Sequence, residues 1–200
     1  MKSKLLVVGL LTMSTHFAAA DPQGIGISIG GGIAGFTDKA MRETVTADVD
    51  PLWDVRAMIG THSPIGAEVT YLGSAGTVRT LAGNENGTLV GTTFEATLRW
   101  NILPHMMWNP YVFAGAGWQR YDVRNMMAAT SDTGLAGSDD LLEIPMGAGV
   151  TFRDPNSGLT FDVRGTFRAA VANANLLAEP DGSNAGLHTW EASAALGWEL

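Results

Sequence analysis

Apolar and polar residues alternate along several segments of this chain with a period of two. In the segment LTFDVRGTFRAA, residues 159–170, every second side chain from Leu159 to Ala169 is apolar or glycine, while the positions between are polar or charged. A β-strand gives this period because successive side chains leave opposite faces of the pleat. The pattern therefore predicts a strand, but it leaves open which of the two faces meets the solvent.

The same alternation recurs after residue 20, between loops rich in Gly, Asp, Asn and Pro. Eight strands are predicted, at residues 24–36, 52–61, 65–74, 90–101, 110–121, 141–153, 158–171 and 187–200. Tight turns at 62–64 and 154–157 and a somewhat longer connector at 102–109 alternate with long polar connectors at 37–51, 75–89, 122–140 and 172–186. Short turns at one end and long loops at the other are typical of membrane barrels. The predicted fold is all-β, an eight-stranded antiparallel up-and-down transmembrane β-barrel.

Charged residues of both signs share one face of the predicted strands, and their signs nearly balance. These residues are Asp54, Arg56, Glu68, Glu95, Arg99, Glu143, Arg153, Asp162, Arg164, Arg168 and Glu191. A narrow barrel interior must pair or hydrate every buried charge, whereas a solvated face needs no balance and tolerates lysine. Lysine is absent from the predicted strands. We therefore expect an Arg/carboxylate ion-pair network in the lumen, with a water-exposed mixed-charge face as the alternative.

Arg168 has a specific predicted environment. If the turn centres on Pro155 and Asn156, Arg168 lies opposite Glu143. If the last hairpin closes near residue 178, it also faces Glu191. We thus predict a guanidinium between two carboxylates. The fifth strand stays undecided, since apolar residues occupy both of its faces.

Aromatic residues fall near the predicted strand ends. The candidates for two interfacial girdles are Trp53, Trp100, Trp108, Tyr111, Trp118, Trp190 and Trp198, with Tyr121 and Phe152 also near strand ends. Such rings prefer the level of lipid headgroups, where both an apolar body and a polar tip are satisfied. Ordinary core aromatics are the alternative interpretation.

The first 20 residues, MKSKLLVVGLLTMSTHFAAA, have a basic start, a short apolar run and a small-residue end. This is a secretory signal pattern, and its apolar run is shorter than the roughly 20 residues of a membrane-spanning helix. We expect cleavage after Ala20 and a barrel domain over 21–200. The chain has 12 basic and 20 acidic residues and no cysteine. An acidic chain argues against nucleic acid as a partner.

Three segments resemble the small eight-stranded outer-membrane barrels of the OmpA/OmpX type. They are NPYVFAGAGWQRYDV at 109–123, EIPMGAGVTFR at 143–153 and SAALGWEL at 193–200. The resemblance implies a bacterial outer-membrane protein with extracellular long loops, in contact with outer-membrane lipid and lipopolysaccharide. It also implies that the barrel assembly machinery reads Leu196, Trp198 and Leu200. Family members usually end in an aromatic residue, and the terminal leucine departs from that pattern.

The resemblance does not choose a function, because this family includes tethers, adhesins, narrow pores and lipid-modifying enzymes. His62, His105 and His188 lack the spacing of metal ligands, and no serine follows His188 at the position that a surface deacylase would need. We expect a non-enzymatic protein with a structural or surface-interaction role, no cofactor, no metal and an unknown extracellular ligand. A narrow pore for small solutes or ions is the first alternative, and a lipid-modifying enzyme is the second.

Overall fold

A computed structural model describes residues 24–38, 49–79, 86–124, 138–171 and 187–200. It contains eight strands: β1 (Ile25–Phe36), β2 (Asp50–Ile59), β3 (Ile65–Arg79), β4 (Asn86–Asn101), β5 (Trp108–Arg124), β6 (Ser138–Arg153), β7 (Leu159–Ala170) and β8 (Thr189–Glu199). The predicted signal peptide, 1–20, lies outside the described residues.

The strands form a closed barrel in chain order. Each strand pairs antiparallel with the next, and β8 returns to pair with β1. At the end of this seam the Leu200 N–H donates to the Ile25 carbonyl at 2.8 Å. Closure satisfies the hydrogen-bonding groups that an open sheet would leave unpaired at its edges. The predicted eight-stranded antiparallel up-and-down barrel is confirmed.

Strands β3 to β6 extend further towards the long loops than the alternation predicts. Their ends lie at Arg79, Asn86, Arg124 and Ser138, several residues beyond the predicted limits. In the extended part of this hairpin, residues 74–79 of β3 pair with residues 86–91 of β4. Glycine and threonine interrupt the apolar pattern in this part, so the alternation alone does not mark its length.

Tight turns close the opposite end. Gly60 and Gly158 have φ angles of 77° and 73°, which residues with a Cβ atom rarely adopt. In the turn after β6, the Ser157 hydroxyl donates to Asp154 Oδ2 at 2.5 Å and the Asn156 N–H donates to Oδ1 at 3.1 Å. These hydrogen bonds stabilise the carboxylate and lower the pKa of Asp154 from its ordinary value of 3.8. The turn end is thus rigidly organised by local contacts.

Candidate functional site

The interior of the barrel holds the charged face. The eleven charged residues that the sequence predicts for the lumen all point inwards, and each is less than a tenth exposed: Asp54, Arg56, Glu68, Glu95, Arg99, Glu143, Arg153, Asp162, Arg164, Arg168 and Glu191. The side chains of opposite parity, such as Leu98, Leu159 and Val163, lie on the outer surface. The structure therefore answers the question raised by the alternation, because the apolar faces point outwards and the charges line the lumen.

Arg56 and Asp162 form the first group of contacts across the lumen. Arg56 Nε lies 2.7 Å from Asp54 Oδ1, and its Nη1 lies 2.8 Å from Asp162 Oδ1. Asp162 also accepts hydrogen bonds from the Tyr111 hydroxyl at 2.9 Å and the Thr151 hydroxyl at 2.7 Å. These residues come from β2, β5, β6 and β7. A single carboxylate thus ties opposite walls of the barrel together.

Arg99, Arg164 and Glu68 extend this group. Arg164 Nη1 lies 2.5 Å from Glu68 Oε1, and Arg99 Nη1 lies 3.9 Å from Glu68 Oε2. The Arg99 guanidinium also stacks 3.4 Å above the Tyr111 ring and donates to Thr151 at 2.6 Å. A planar guanidinium can make both kinds of contact at once. The middle of the lumen is therefore occupied by side chains.

Arg168 contacts three carboxylates rather than two. Its Nη2 lies 2.5 Å from Glu191 Oε2, its Nε lies 3.6 Å from Glu143 Oε1, and Nε also donates to Glu95. The contacts with Glu143 and Glu191 are the two that the sequence predicts. Glu95 lies on β4 on the far side of the lumen, and no local pattern indicates that it reaches Arg168.

The predicted register behind these contacts is wrong by two residues in both hairpins. Arg168 lies directly opposite Pro145 on β6 and Thr189 on β8, not opposite Glu143 and Glu191. Residues two positions away on the same face are diagonal neighbours within reach of a long side chain. Arg168 therefore meets both predicted partners despite the shift.

Arg153 closes the lumen at the short-turn end. It donates to Glu199 from Nε and, at 2.8 Å, from Nη2. Further hydrogen bonds run to the carbonyls of Pro104 at 2.9 Å and Thr61 at 3.1 Å. We call Arg153 and Glu199 the turn-end latch, since they join β6, β8 and two turns. Glu199 has the inward parity of Glu191, so the alternation places it in the lumen but does not show that it meets Arg153.

A Glu199→Gln variant tests the turn-end latch. It is expected to lower the free energy of unfolding by about 1–3 kcal/mol, because the buried Arg153 loses its charged partner. Urea unfolding of the refolded protein in detergent micelles measures this change. The control is Asp140→Asn, which removes the half-exposed partner of Arg120 and should cost less than about 1 kcal/mol. Equal losses in the two variants would contradict a stabilising latch.

Apolar side chains fill the lumen at the long-loop end, which the sequence analysis did not predict. Six inward-facing residues, each at most 6 % exposed, form this apolar seal: Phe36, Leu72, Leu89, Tyr121, Leu141 and Leu187. The cavity between the seal and Arg168 measures about 20 Å³, room for roughly one water molecule. Leu72, Leu89 and Leu141 share the parity of inward glutamates on their own strands. That parity is the signal that could have found these three residues.

One predicted girdle residue is wrongly placed. Tyr111 is 1 % exposed, lies inside the barrel and binds Asp162. The odd-numbered positions of β5 face inwards, which resolves the undecided fifth strand and buries Tyr121 as well. The predicted tryptophans lie on the outer surface, with Trp190 partly exposed and the rest exposed: Trp53, Trp100, Trp108, Trp118 and Trp198.

The histidines take part in local contacts. His188 Nδ1 accepts a hydrogen bond from the Ala170 N–H at 3.0 Å, and its ring packs 6.1 Å from that of Phe167. His62 Nε2 lies 3.3 Å from Glu199 Oε2. In the part of the chain that the structure describes, no group of three His, Cys, Asp or Glu side chains is placed to hold a metal. Within those same ranges, no helix is long and apolar enough to cross a membrane.

Comparison with solved structures finds outer-membrane barrels. Neisserial surface protein A matches with a TM-score of 0.61 at 12% identity, over 87% of this chain and 96% of that one. OprG of Pseudomonas aeruginosa gives 0.59 at 12% identity, over 88% and 95%. Ail of Yersinia pestis, in complex with the heparin analogue sucrose octasulfate, gives 0.54 at 12% identity, over 88% and 98%.

No protein-family model and no curated protein matches the chain. The likeness is therefore one of structure, carried by a closed sheet of the same strand number and covering almost the whole length of each neighbour. This chain has the fold of the small eight-stranded outer-membrane β-barrels.

Proposed function

We propose that this protein is an integral protein of the bacterial outer membrane, with a structural or surface-interaction role and a lumen that does not conduct. The observation that carries the proposal is the filled interior: Arg56, Arg164 and Arg168 reach across the lumen to carboxylates on other strands. An eight-stranded barrel is about wide enough for side chains to fill. The apolar seal and the turn-end latch occupy its two ends.

The outer surface supports insertion into a bilayer. Leu98, Ile65 and Ile29 are each about two-thirds exposed on the outer wall. Large apolar side chains recur at outward positions on all eight strands. Such a surface is unfavourable in water and favourable against lipid. The proposed orientation follows the same architecture, with short turns in the periplasm and long loops outside the cell.

The proposed partners follow from this placement. Outer-membrane lipid and lipopolysaccharide contact the outer wall, and the barrel assembly machinery reads the terminal strand at Leu196, Trp198 and Leu200. These three side chains point outwards and are well exposed, as a surface read by another protein requires. The proposed role is non-enzymatic.

Conductance measurement tests the proposal directly. Purified, refolded wild-type protein in a planar bilayer is expected to be silent, because paired side chains and the apolar seal block the lumen. An Arg168→Gln variant is measured beside it, after a gel-mobility test shows that both proteins are folded. Stable small openings of the wild type would instead favour the narrow pore. A change of ion selectivity in the variant would then place Arg168 in the conducting path.

A further inference from the structure

Among the outward strand side chains that the structure describes, the charged ones lie together at one place on the outer wall. Arg120, Asp122 and Arg124 of β5 and Asp140 of β6 share the outward parity of Trp118 and Leu142. We call these four residues the β5–β6 charged patch. Apart from Arg79 at the loop end of β3, outward positions elsewhere on the strands carry apolar, small or uncharged polar residues. The patch therefore groups four charged residues on two adjacent strands near the long loops.

The patch lies just beyond the apolar outer surface. Arg120 follows Trp118 by two residues, and Asp140 precedes Leu142 by two residues. Trp118 is 41 % and Leu142 is 58 % exposed on the wall. Two residues of a strand span at most about 7 Å. In the proposed orientation, the patch is level with the headgroups of the outer leaflet, directly beside an aromatic anchor.

The internal contacts of the patch are long and leave donors free for a ligand. Arg120 Nε lies 3.2 Å from Asp122 Oδ2, and Nη1 lies 3.5 Å from Asp140 Oδ2. Arg120 and Asp140 are directly opposite in the β5–β6 register. A guanidinium has five N–H donors, and the Arg120 side chain is 41 % exposed. The two aspartates therefore orient the guanidinium without enclosing it.

We propose that the β5–β6 charged patch binds the phosphate groups of an outer-leaflet glycolipid of the lipid A class, with Arg120 and Arg124 as the binding residues. This inference rests on the proposed outer-membrane location. Arginine matches phosphate because its planar fork meets two oxygens at once. The phosphate takes the outward donors of Arg120 and displaces Asp140, whose contact is the longer of the two ion pairs. Asp122 keeps the guanidinium in place.

The experiment titrates bisphosphorylated lipid A into refolded protein in zwitterionic micelles and measures heat of binding. An Arg120→Gln/Arg124→Gln variant is expected to bind about tenfold more weakly, which corresponds to about 1.4 kcal/mol. Asp140→Asn is the matched control, because it removes a negative charge from the patch instead of a positive one. It should bind lipid A as tightly as the wild type or more tightly. Dephosphorylated lipid A and inorganic phosphate should each bind far more weakly than the bisphosphorylated lipid.

Three results would overturn the proposal. An unchanged affinity in the Arg120→Gln/Arg124→Gln variant would show that these two arginines do not bind the lipid. Weaker lipid binding by Asp140→Asn, together with loss of wild-type binding when a chelator is added, would indicate instead that the aspartates hold a divalent cation. Inorganic phosphate binding as tightly as the lipid would exclude a lipid site. A failure of the outer-membrane proposal is separate, because it would be seen as a chain that does not insert into vesicles, whatever the lipid titration gives.

Discussion

An Arg168→Met variant is expected to lose about 3–5 kcal/mol of unfolding free energy, the cost of leaving buried charges without their partner. Glu95, Glu143 and Glu191 all contact this one guanidinium, and each is at most 2 % exposed. Methionine preserves much of the side-chain volume, so the loss reports on charge more than on packing. Among the residues that the structure describes, no other cation forms an ion pair with these three carboxylates, so the variant would leave them unpaired.

A compensated variant makes this test specific. Arg168→Met combined with glutamine at positions 95, 143 and 191 is expected to recover most of the lost stability, because no unpaired charge remains inside. Urea unfolding in micelles, followed by the difference in gel mobility between folded and boiled protein, measures both variants. Arg120→Met, at a half-exposed pair, should change stability by less than about 1 kcal/mol. A single variant as stable as the compensated one would refute the proposed role of Arg168.

A Val163→Arg variant is expected to lose about 2–4 kcal/mol in lipid vesicles, the cost of a cation on the lipid face near the bilayer midplane. Val163 lies near the middle of β7, and its side chain points outwards at 45 % exposure. The bilayer cannot hydrate the guanidinium there. On a water-soluble barrel, the same exposed substitution would be almost neutral.

Val171→Arg is the matched control, with the same substitution just past the loop end of β7. Val171 is 61 % exposed, and its N–H donates to the Leu142 carbonyl at 2.9 Å. The expected loss there is about 0–1 kcal/mol, because the side chain reaches the interface. Folding into vesicles over a urea series measures both variants. A small and equal effect at the two positions would contradict a membrane-spanning wall.

Alternation along the sequence was sufficient to sort inward from outward side chains on most strands. Alternation with a period of two is a local property of an extended chain, so Asp162, Arg164 and Arg168 share a face wherever β7 is placed. The charge balance of that face and the absence of lysine then indicated the lumen. The alternation of short turns and long loops likewise indicated eight strands, and the structure confirms their number and order.

The contacts among these side chains depend on the folded barrel and could not be predicted from the sequence. Register and stagger around a closed barrel depend on all eight strands together, and a shift of two residues keeps the same parity. Parity therefore could not reveal that Glu95 reaches Arg168, or that Glu199 pairs with Arg153. It also could not place Tyr111, because β5 is apolar on both faces. Apart from Arg56 with its neighbour Asp54, the pairs that close this lumen join residues far apart in the chain, and the folded barrel sets the distances between them.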